Sequence, residues 1–239
     1  MSPLERKHTL SSFDAALAEI DRRILSMSEA VALQLGDIRR AIETADVGPA
    51  QAVIARDASI DADHDAIRAE AVAALTRFQP VAGDLRRIMA LQHAATDLER
   101  IGDHAKGMAK RLIQGLQIDR KEPLLPAFLR LLDGAVRSVE EAADALVRRD
   151  AMLARHVIGG DNSLDKLYDD FFHLAVGSLR GGRRGEQVVH LLFAAKSLER
   201  IGDHATNIAE EVLFLSSGEL PSAKRSEVEP ATADGTDIP

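Results

Sequence analysis

Two identical eight-residue blocks place a glutamate and an aspartate four residues apart on segments that the surrounding sequence predicts to be helical. The blocks are Leu98–Ala105 and Leu198–Ala205, and their acidic pairs are Glu99 with Asp103 and Glu199 with Asp203. Like charges at this spacing destabilise a helix by roughly 0.2–0.5 kcal/mol for each pair. Because the chain repeats this cost 100 residues later, we expect a cation to bind there and to offset it.

A second acidic row recurs in the same way. Val53-Ile54 is followed by Asp57, Asp61 and Asp65, and Val157-Ile158 is followed by Asp161, Asp165 and Asp169, an offset of 104 residues. In a heptad with buried positions a and d, the last two acids of each row take positions b and f, as the acids of the repeated blocks do, so all of them face away from the core. If the helices that carry these rows are neighbours, each half of the chain presents four carboxylates on a patch about one turn high.

These patches are candidate metal sites. Carboxylate oxygens suit magnesium, calcium, manganese or iron, and an imidazole at the edge favours a transition metal. The candidate ligands are Asp61, Asp65, Glu99, Asp103, Asp165, Asp169, Glu199, Asp203 and Asn207, with His104, His204, Asp57 and Asp161 as secondary candidates. Asn207 extends the row of the second copy by one turn, whereas the first copy has Gly107 there, which predicts a poorer first site.

The alternative is a solvated acidic surface without metal. Arg100 and Arg200 lie next to the acids in the sequence and are able to neutralise them. His104 and His204 fall at heptad position g, where a histidine at the edge of the core is common. A single acidic pair favours this alternative, whereas the repetition favours a cation site.

The composition excludes several classes of function. A net charge of −8 argues against a nucleic-acid partner, because that binding depends on lysine and arginine releasing counterions from phosphates. The absence of cysteine excludes disulfides, thiolate catalysis and cysteine-type zinc sites. No stretch reaches the roughly 18 apolar residues of a membrane-spanning helix, and Met1–Thr9 lacks the apolar core of a signal peptide, so we expect a cytoplasmic protein.

The pattern of apolar residues predicts an all-α protein, in agreement with an aromatic content of only 3%. Glycine and proline breaks divide the chain into six helices, over residues 10–46, 49–78, 81–116, 126–149, 151–180 and 186–217. We expect two tandem, pseudo-symmetric three-helix bundles, over residues 1–118 and 119–217, followed by a disordered tail over 218–239. Gly102 and Gly202, inside strong helices, predict close approach of a neighbouring helix, and Gln79-Pro80 before Asp84 predicts a helix start with proline in the first turn.

With these motifs the chain resembles the PhoU family, regulators of bacterial phosphate uptake. The resemblance rests on residues 8–35, on residues 79–86, on both repeated blocks and on Thr206–Glu211 after the second block. It implies two three-helix bundles whose acidic motifs bind divalent or ferric metal ions, with iron, zinc, manganese, magnesium and calcium as candidates. It also implies an accessory protein of the phosphate ABC transporter, expected as a homodimer associated peripherally with the membrane complex. Such a protein contacts the transporter ATPase and a sensor histidine kinase and represses the phosphate-starvation response.

Two other functions suit a helical bundle that carries acids. Di-iron and di-manganese enzymes use a Glu-x-x-His motif with inward-pointing ligands, whereas here the histidine follows Glu99 by five residues and the acids point outward. We therefore do not expect an enzyme. The other alternative is a metal-free adaptor, or a phosphotransfer module that uses His104 or His204, although the adjacent Asp103 repels an incoming phosphate.

Overall fold

The computed structural model describes residues 3–113, 124–180 and 185–218, with side chains from residue 11 onward. Six helices occupy these residues: α1 (Pro3–Thr44), α2 (Val47–Phe78), α3 (Gly83–Ile113), α4 (Leu125–Arg148), α5 (Ala151–Arg180) and α6 (Gly185–Ser217). Helices α1, α2 and α3 contact one another, as do α4, α5 and α6. The predicted fold of two tandem three-helix bundles is therefore confirmed.

The ends of the helices differ from the prediction in a few places. Helix α1 already begins at Pro3 rather than near residue 10. Pro80 does not enter the first turn of α3, contrary to the prediction, because Gln79 and Ala82 adopt left-handed conformations with φ of 48° and 51° and α3 begins only at Gly83. Asp84 does lie in that first turn, where the helix dipole favours a negative charge.

Two of the predicted boundaries fall largely outside the part of the chain that the structure describes. The boundary between the bundles, expected at residue 118, lies in the undescribed segment 114–123, and the expected tail lies there from residue 219 onward. Gly218 itself is described: its φ is 75°, and its N–H donates to the carbonyl oxygen of Phe214 at 2.9 Å. This left-handed glycine closes the last turn of α6.

The two bundles pack side by side through α3 against α6 and α1 against α4. Helices α3 and α6 run antiparallel, since His93 near the start of α3 contacts Glu211 near the end of α6, while Arg111 near the end of α3 covers the ring of Phe193. Both helices carry a repeated block, so this packing brings the two blocks together. Among residues 3–113, 124–180 and 185–218, no helix is apolar over a length that would cross a membrane.

The glycines of the repeated blocks lie where another helix comes close, as the sequence predicts. A Cβ atom on Gly102 would stand 3.2 Å from Cδ1 of Ile60 on α2. A Cβ atom on Gly202 would overlap Cδ2 of Leu164, the equivalent residue on α5. These contacts hold α2 against α3 and α5 against α6 beside the acidic residues.

Candidate metal sites and the interface between the bundles

The first acidic patch consists of three residues on α2 and two on α3: Asp57, Asp61, Asp65, Glu99 and Asp103. Asp61, Asp65 and Asp103 are exposed and Glu99 is partly buried, whereas Asp57 is only 2% exposed. Desolvation, followed by the charge of Asp57, raises the pKa of Asp61. Desolvation, followed by the charge of Asp103, raises the pKa of Glu99. The charge of Asp103 on α3 also contributes to the raised pKa of Asp61 on α2, so acids of the two helices are close enough to repel one another.

Lys106 of α3 lies within the first acidic patch. Its ammonium donates a hydrogen bond to Oδ2 of Asp57 and lies 3.9 Å from Oδ1 of Asp103. The hydrogen bond to Asp57 is the main cause that raises the pKa of Lys106, so the side chain remains cationic at neutral pH. The first patch thus contains a cation supplied by the chain itself, and this arrangement does not fit a metal ion.

The second acidic patch consists of the equivalent residues on α5 and α6: Asp161, Asp165, Asp169, Glu199 and Asp203. Thr206 stands where the first half has Lys106, and its buried hydroxyl donates to Oδ1 of Asp161 at 3.0 Å. Desolvation, followed by the charge of Asp161, raises the pKa of Asp165, and the charges of Glu199, Asp203 and Asp169 act in the same direction. Asp165 therefore faces four other carboxylates.

Basic side chains also flank the patches at their edges. Nη1 of Arg100 lies 3.7 Å from Asp103 Oδ2, and Nη1 of Arg200 lies 3.3 Å from Asp203 Oδ2. In the second half Nζ of Lys196 lies 2.7 Å from Oε2 of Glu199. Each of these basic side chains is about half exposed, and exposed ion pairs contribute only about 0–1 kcal/mol. They reduce the repulsion within each patch.

The carboxylates are near one another but do not form a ready-made coordination shell. Within the described ranges, no group of three or more histidine, aspartate or glutamate side chains stands in an arrangement that could hold a metal ion. The donor set of the second patch, oxygen atoms with a neutral threonine beside them, suits a hard cation. Binding there requires the acidic side chains to change rotamers and converge, which is easiest for the exposed Asp165 and Asp169.

Asn207 and His204 both contact Asp97 on α3. The amide of Asn207 donates to Oδ1 of Asp97 at 3.1 Å, and Nδ1 of His204 lies 2.8 Å from the same oxygen. The rings of His104 and His204 lie 5.7 Å apart between the bundles. Burial, followed by the charge of His204, lowers the pKa of His104. In this structure Asn207 and His204 thus help to join the bundles, which their spacing from Asp203 did not indicate.

Two residues that set the charge beside the acids of each patch were not predicted from the sequence. Lys106 and Thr206 follow Glu99 and Glu199 by seven residues, one heptad, so they share the outward position of these glutamates. The heptad assignment was a usable signal for both. Asp97 carried no such signal, because its importance depends on a contact between helices that lie far apart in the sequence.

Comparison with known proteins shows which family the chain is similar to. A family model described as the PhoU domain matches residues 24–112 and again residues 128–212. A phosphate-specific transport system accessory protein PhoU homolog of Rhizobium meliloti is 35% identical over 225 residues, covering 93% of this chain and 94% of that protein. The homolog of the same description from Pseudomonas aeruginosa is 38% identical over 213 residues, 88% of each chain. These relatives are described as accessory proteins and not as enzymes.

Solved structures agree with these matches. The crystal structure of PhoU from Pseudomonas aeruginosa superposes with a TM-score of 0.83 at 36% identity, covering 87% of this chain and 100% of that one. The phosphate transport system regulatory protein PhoU from Streptococcus pneumoniae gives a TM-score of 0.80 at 24% identity, covering 87% of this chain and 99% of that one. The latter likeness supports the fold alone.

Proposed function

Because the chain belongs to the PhoU family, we propose that it is an accessory protein of a bacterial phosphate transport system. In this role it couples the phosphate ABC transporter to a sensor histidine kinase and represses the phosphate-starvation response. The observation that carries the proposal is the similarity of both halves of the chain to proteins described as accessory to phosphate-specific transport, over 93% of this chain for the Rhizobium meliloti relative. The protein acts by contact with its partners, as a cytoplasmic homodimer that associates peripherally with the transporter.

The placement of the acidic residues supports a docking protein rather than an enzyme. Both acidic patches lie on outer helix faces, and three of the five acids of the first patch are exposed. A dimetal enzyme on a helical bundle holds its carboxylates inward, where the protein excludes water. The placement of the two histidines also does not favour phosphotransfer, since both are partly buried and their rings lie 5.7 Å apart between the bundles.

Metal binding is the second part of the proposal, and the second acidic patch supports it most strongly. Asp165 is surrounded by carboxylates whose charges disfavour its ionised form. A divalent or ferric cation bound between α5 and α6 relieves that repulsion. The bound ion orders the outer face of the second bundle, which is then a surface that a partner recognises.

The regulatory role is tested in cells that lack the chromosomal copy of this chain. A reporter of the phosphate-starvation response is measured at high phosphate, with and without the wild-type protein supplied in trans. We expect the reporter to be active without the protein and silent when it is restored, and we expect the transporter ATPase and the histidine kinase to co-purify with it. A reporter that remains silent without the protein, together with no co-purification of either partner, would contradict the proposal.

Metal binding is tested by elemental analysis of protein purified without chelator or metal-affinity resin. Asp203→Ala in the second patch is compared with Asp103→Ala at the equivalent position of the first. We expect the wild type and Asp103→Ala to retain metal and Asp203→Ala to lose it. If no metal is present in the wild type even after reconstitution, the patches are solvated acidic surfaces and the protein is a metal-free adaptor.

A further inference from the structure

We propose that Lys106 is a built-in cation that replaces metal in the first repeat, so that the protein binds metal only in its second repeat. The inference rests on the proposed function, since it assumes that the second acidic patch binds metal. It goes further in assigning different roles to the two repeats, although their acidic residues match one for one. Lys106 makes the first acidic patch independent of metal, and Thr206 leaves the second dependent on it.

The position of the lysine ammonium supports this difference. Nζ of Lys106 bonds to Oδ2 of Asp57, a carboxylate whose side chain is only 3% exposed, and lies 3.9 Å from Asp103. Asp57 is on α2 and Asp103 is on α3, so the lysine links the two helices that carry the patch. A divalent ion that bridges the same helices would have to displace the ammonium from Asp57.

The equivalent position in the second half lacks such a cation. Thr206 is buried and neutral, and its hydroxyl satisfies only one oxygen of Asp161. Lys196 of α6 pairs with Glu199 of the same helix at 2.7 Å and lies above the ring of Tyr168 on α5. Its contacts are thus with Glu199 and Tyr168, whereas Asp161 is bonded by the neutral hydroxyl of Thr206.

A tethered ammonium also has an advantage over a free ion. Because Lys106 belongs to α3, it is present at a high effective concentration beside Asp57, and it is bound without loss of translational freedom. Metal in solution must overcome this competition at Asp57 but not at Asp161, which is bonded by Thr206. The two repeats therefore differ in metal affinity even though their carboxylates are the same in number and spacing.

Exchange of the two residues tests the inference. Mn²⁺ alone is titrated into chelator-treated protein, and bound metal per chain is measured by equilibrium dialysis and elemental analysis. We expect Lys106→Thr to bind about twice as much Mn²⁺ as the wild type, Thr206→Lys to bind almost none, and the double exchange to bind as much as the wild type. Lys110→Thr, at an exposed lysine of α3 outside both patches, is the matched control, and it should leave the amount bound unchanged.

Thermal unfolding provides a readout that does not depend on counting ions. Mn²⁺ should raise the melting temperature of Lys106→Thr more than that of the wild type, and it should leave that of Thr206→Lys unchanged. If Lys106→Thr fails to fold because Asp57 is left buried without its cation, Thr206→Lys and Asp103→Ala still decide the question. Loss of Mn²⁺ from Thr206→Lys, with full retention by Asp103→Ala, supports the inference.

The results that overturn the inference are distinct from those that overturn the proposed function. Equal loading of both patches in the wild type, detected as half of the Mn²⁺ lost in Asp103→Ala and half in Asp203→Ala, would overturn the inference alone. An unchanged amount of Mn²⁺ in a folded Lys106→Thr would do the same. Absence of Mn²⁺ from every variant would overturn metal binding in the proposed function, and this inference with it.

Discussion

Asp97 of the first bundle faces His204 of the second, with 2.8 Å between Oδ1 and Nδ1. The same carboxylate oxygen accepts a hydrogen bond from Asn207 at 3.1 Å. The pseudo-symmetry of the chain places Ser197 at the position equivalent to Asp97, and the Ser197 hydroxyl donates within its own helix to Phe193 at 3.2 Å. The polar contacts between the bundles are therefore asymmetric, although the repeated blocks on either side are identical.

This asymmetry predicts different costs for equivalent substitutions. Asp97→Ala removes the acceptor of both contacts, and it should lower the free energy of unfolding by about 1–3 kcal/mol, the range for a partly buried, charge-assisted hydrogen bond. Ser197→Ala should change it by less than about 0.5 kcal/mol, as is usual for a surface substitution. Urea unfolding of both variants checks the prediction, and equal effects would show that the contacts of Asp97 contribute no more to stability than the hydroxyl of Ser197.

His104 predicts a loss of stability in acid. Burial, followed by the charge of His204, lowers the pKa of His104 below its ordinary value of 6.5, so the unfolded chain binds a proton at this residue more readily than the folded one. The contribution of neutral His104 to the free energy of unfolding is fully present well above pH 6.5. It is lost as the pH falls from 6.5 through the lower pKa of the folded state. Urea midpoints at several pH values should fall more steeply for the wild type than for His104→Asn. His156→Asn, at a well-exposed histidine, should follow the wild type.

Neutralising Asp165 should stabilise the protein in the absence of metal. Asp165→Asn removes repulsion from the acids four residues before and after it, which should stabilise the metal-free protein by about 0.4–1 kcal/mol. The pKa of Asp165 is raised, so the gain is present at neutral pH and disappears when the carboxylates become protonated in acid.

The equivalent substitution in the first repeat is the control for this prediction. Asp61→Asn should stabilise less, because the charge of Lys106 already opposes the repulsion at Asp61. The two variants are compared by thermal unfolding of chelator-treated protein at pH 7 and pH 4. A larger gain from Asp61→Asn would contradict the unequal compensation of the two patches.

At Gly202 the contact of α5 with α6 leaves no room for a larger side chain. Alanine at this position gains about 1 kcal/mol in helix propensity, but its Cβ would overlap Cδ2 of Leu164. Overpacking of this kind costs about 1–3 kcal/mol, so Gly202→Ala should be destabilising on balance. Gly102→Ala, whose Cβ would lie 3.2 Å from Ile60 Cδ1, should be closer to neutral.

The steric origin of that effect is testable in a second variant. Leu164→Val shortens the side chain that Gly202 accommodates and should recover part of the stability lost in Gly202→Ala. Chemical denaturation of the single and double variants measures the coupling between the two positions. Strictly additive effects would mean that the glycine serves another purpose.

Apolar periodicity, together with the glycine and proline breaks, was sufficient to predict the six helices, because an amphipathic helix shows its buried face in its own sequence. The division of the chain into two halves and the outward heptad positions of the acids were predicted from the repeated sequence. The start of α3 did not, since the left-handed conformations of Gln79 and Ala82 leave no comparable pattern in the sequence. The close approach at Gly102 and Gly202 was predictable, because glycine weakens a helix and is favoured inside one mainly where another backbone or side chain comes close.

The sequence by itself determined two helical bundles with matching outward acidic residues. Only the tertiary structure decided that Lys106 reaches Asp57 on α2, and that Asn207 and His204 turn toward Asp97 on α3. The physical reason is the range of the interactions. Periodicity reports how one helix meets the core as a whole, whereas the partner of a long polar side chain depends on which helix lies beside it and in what register.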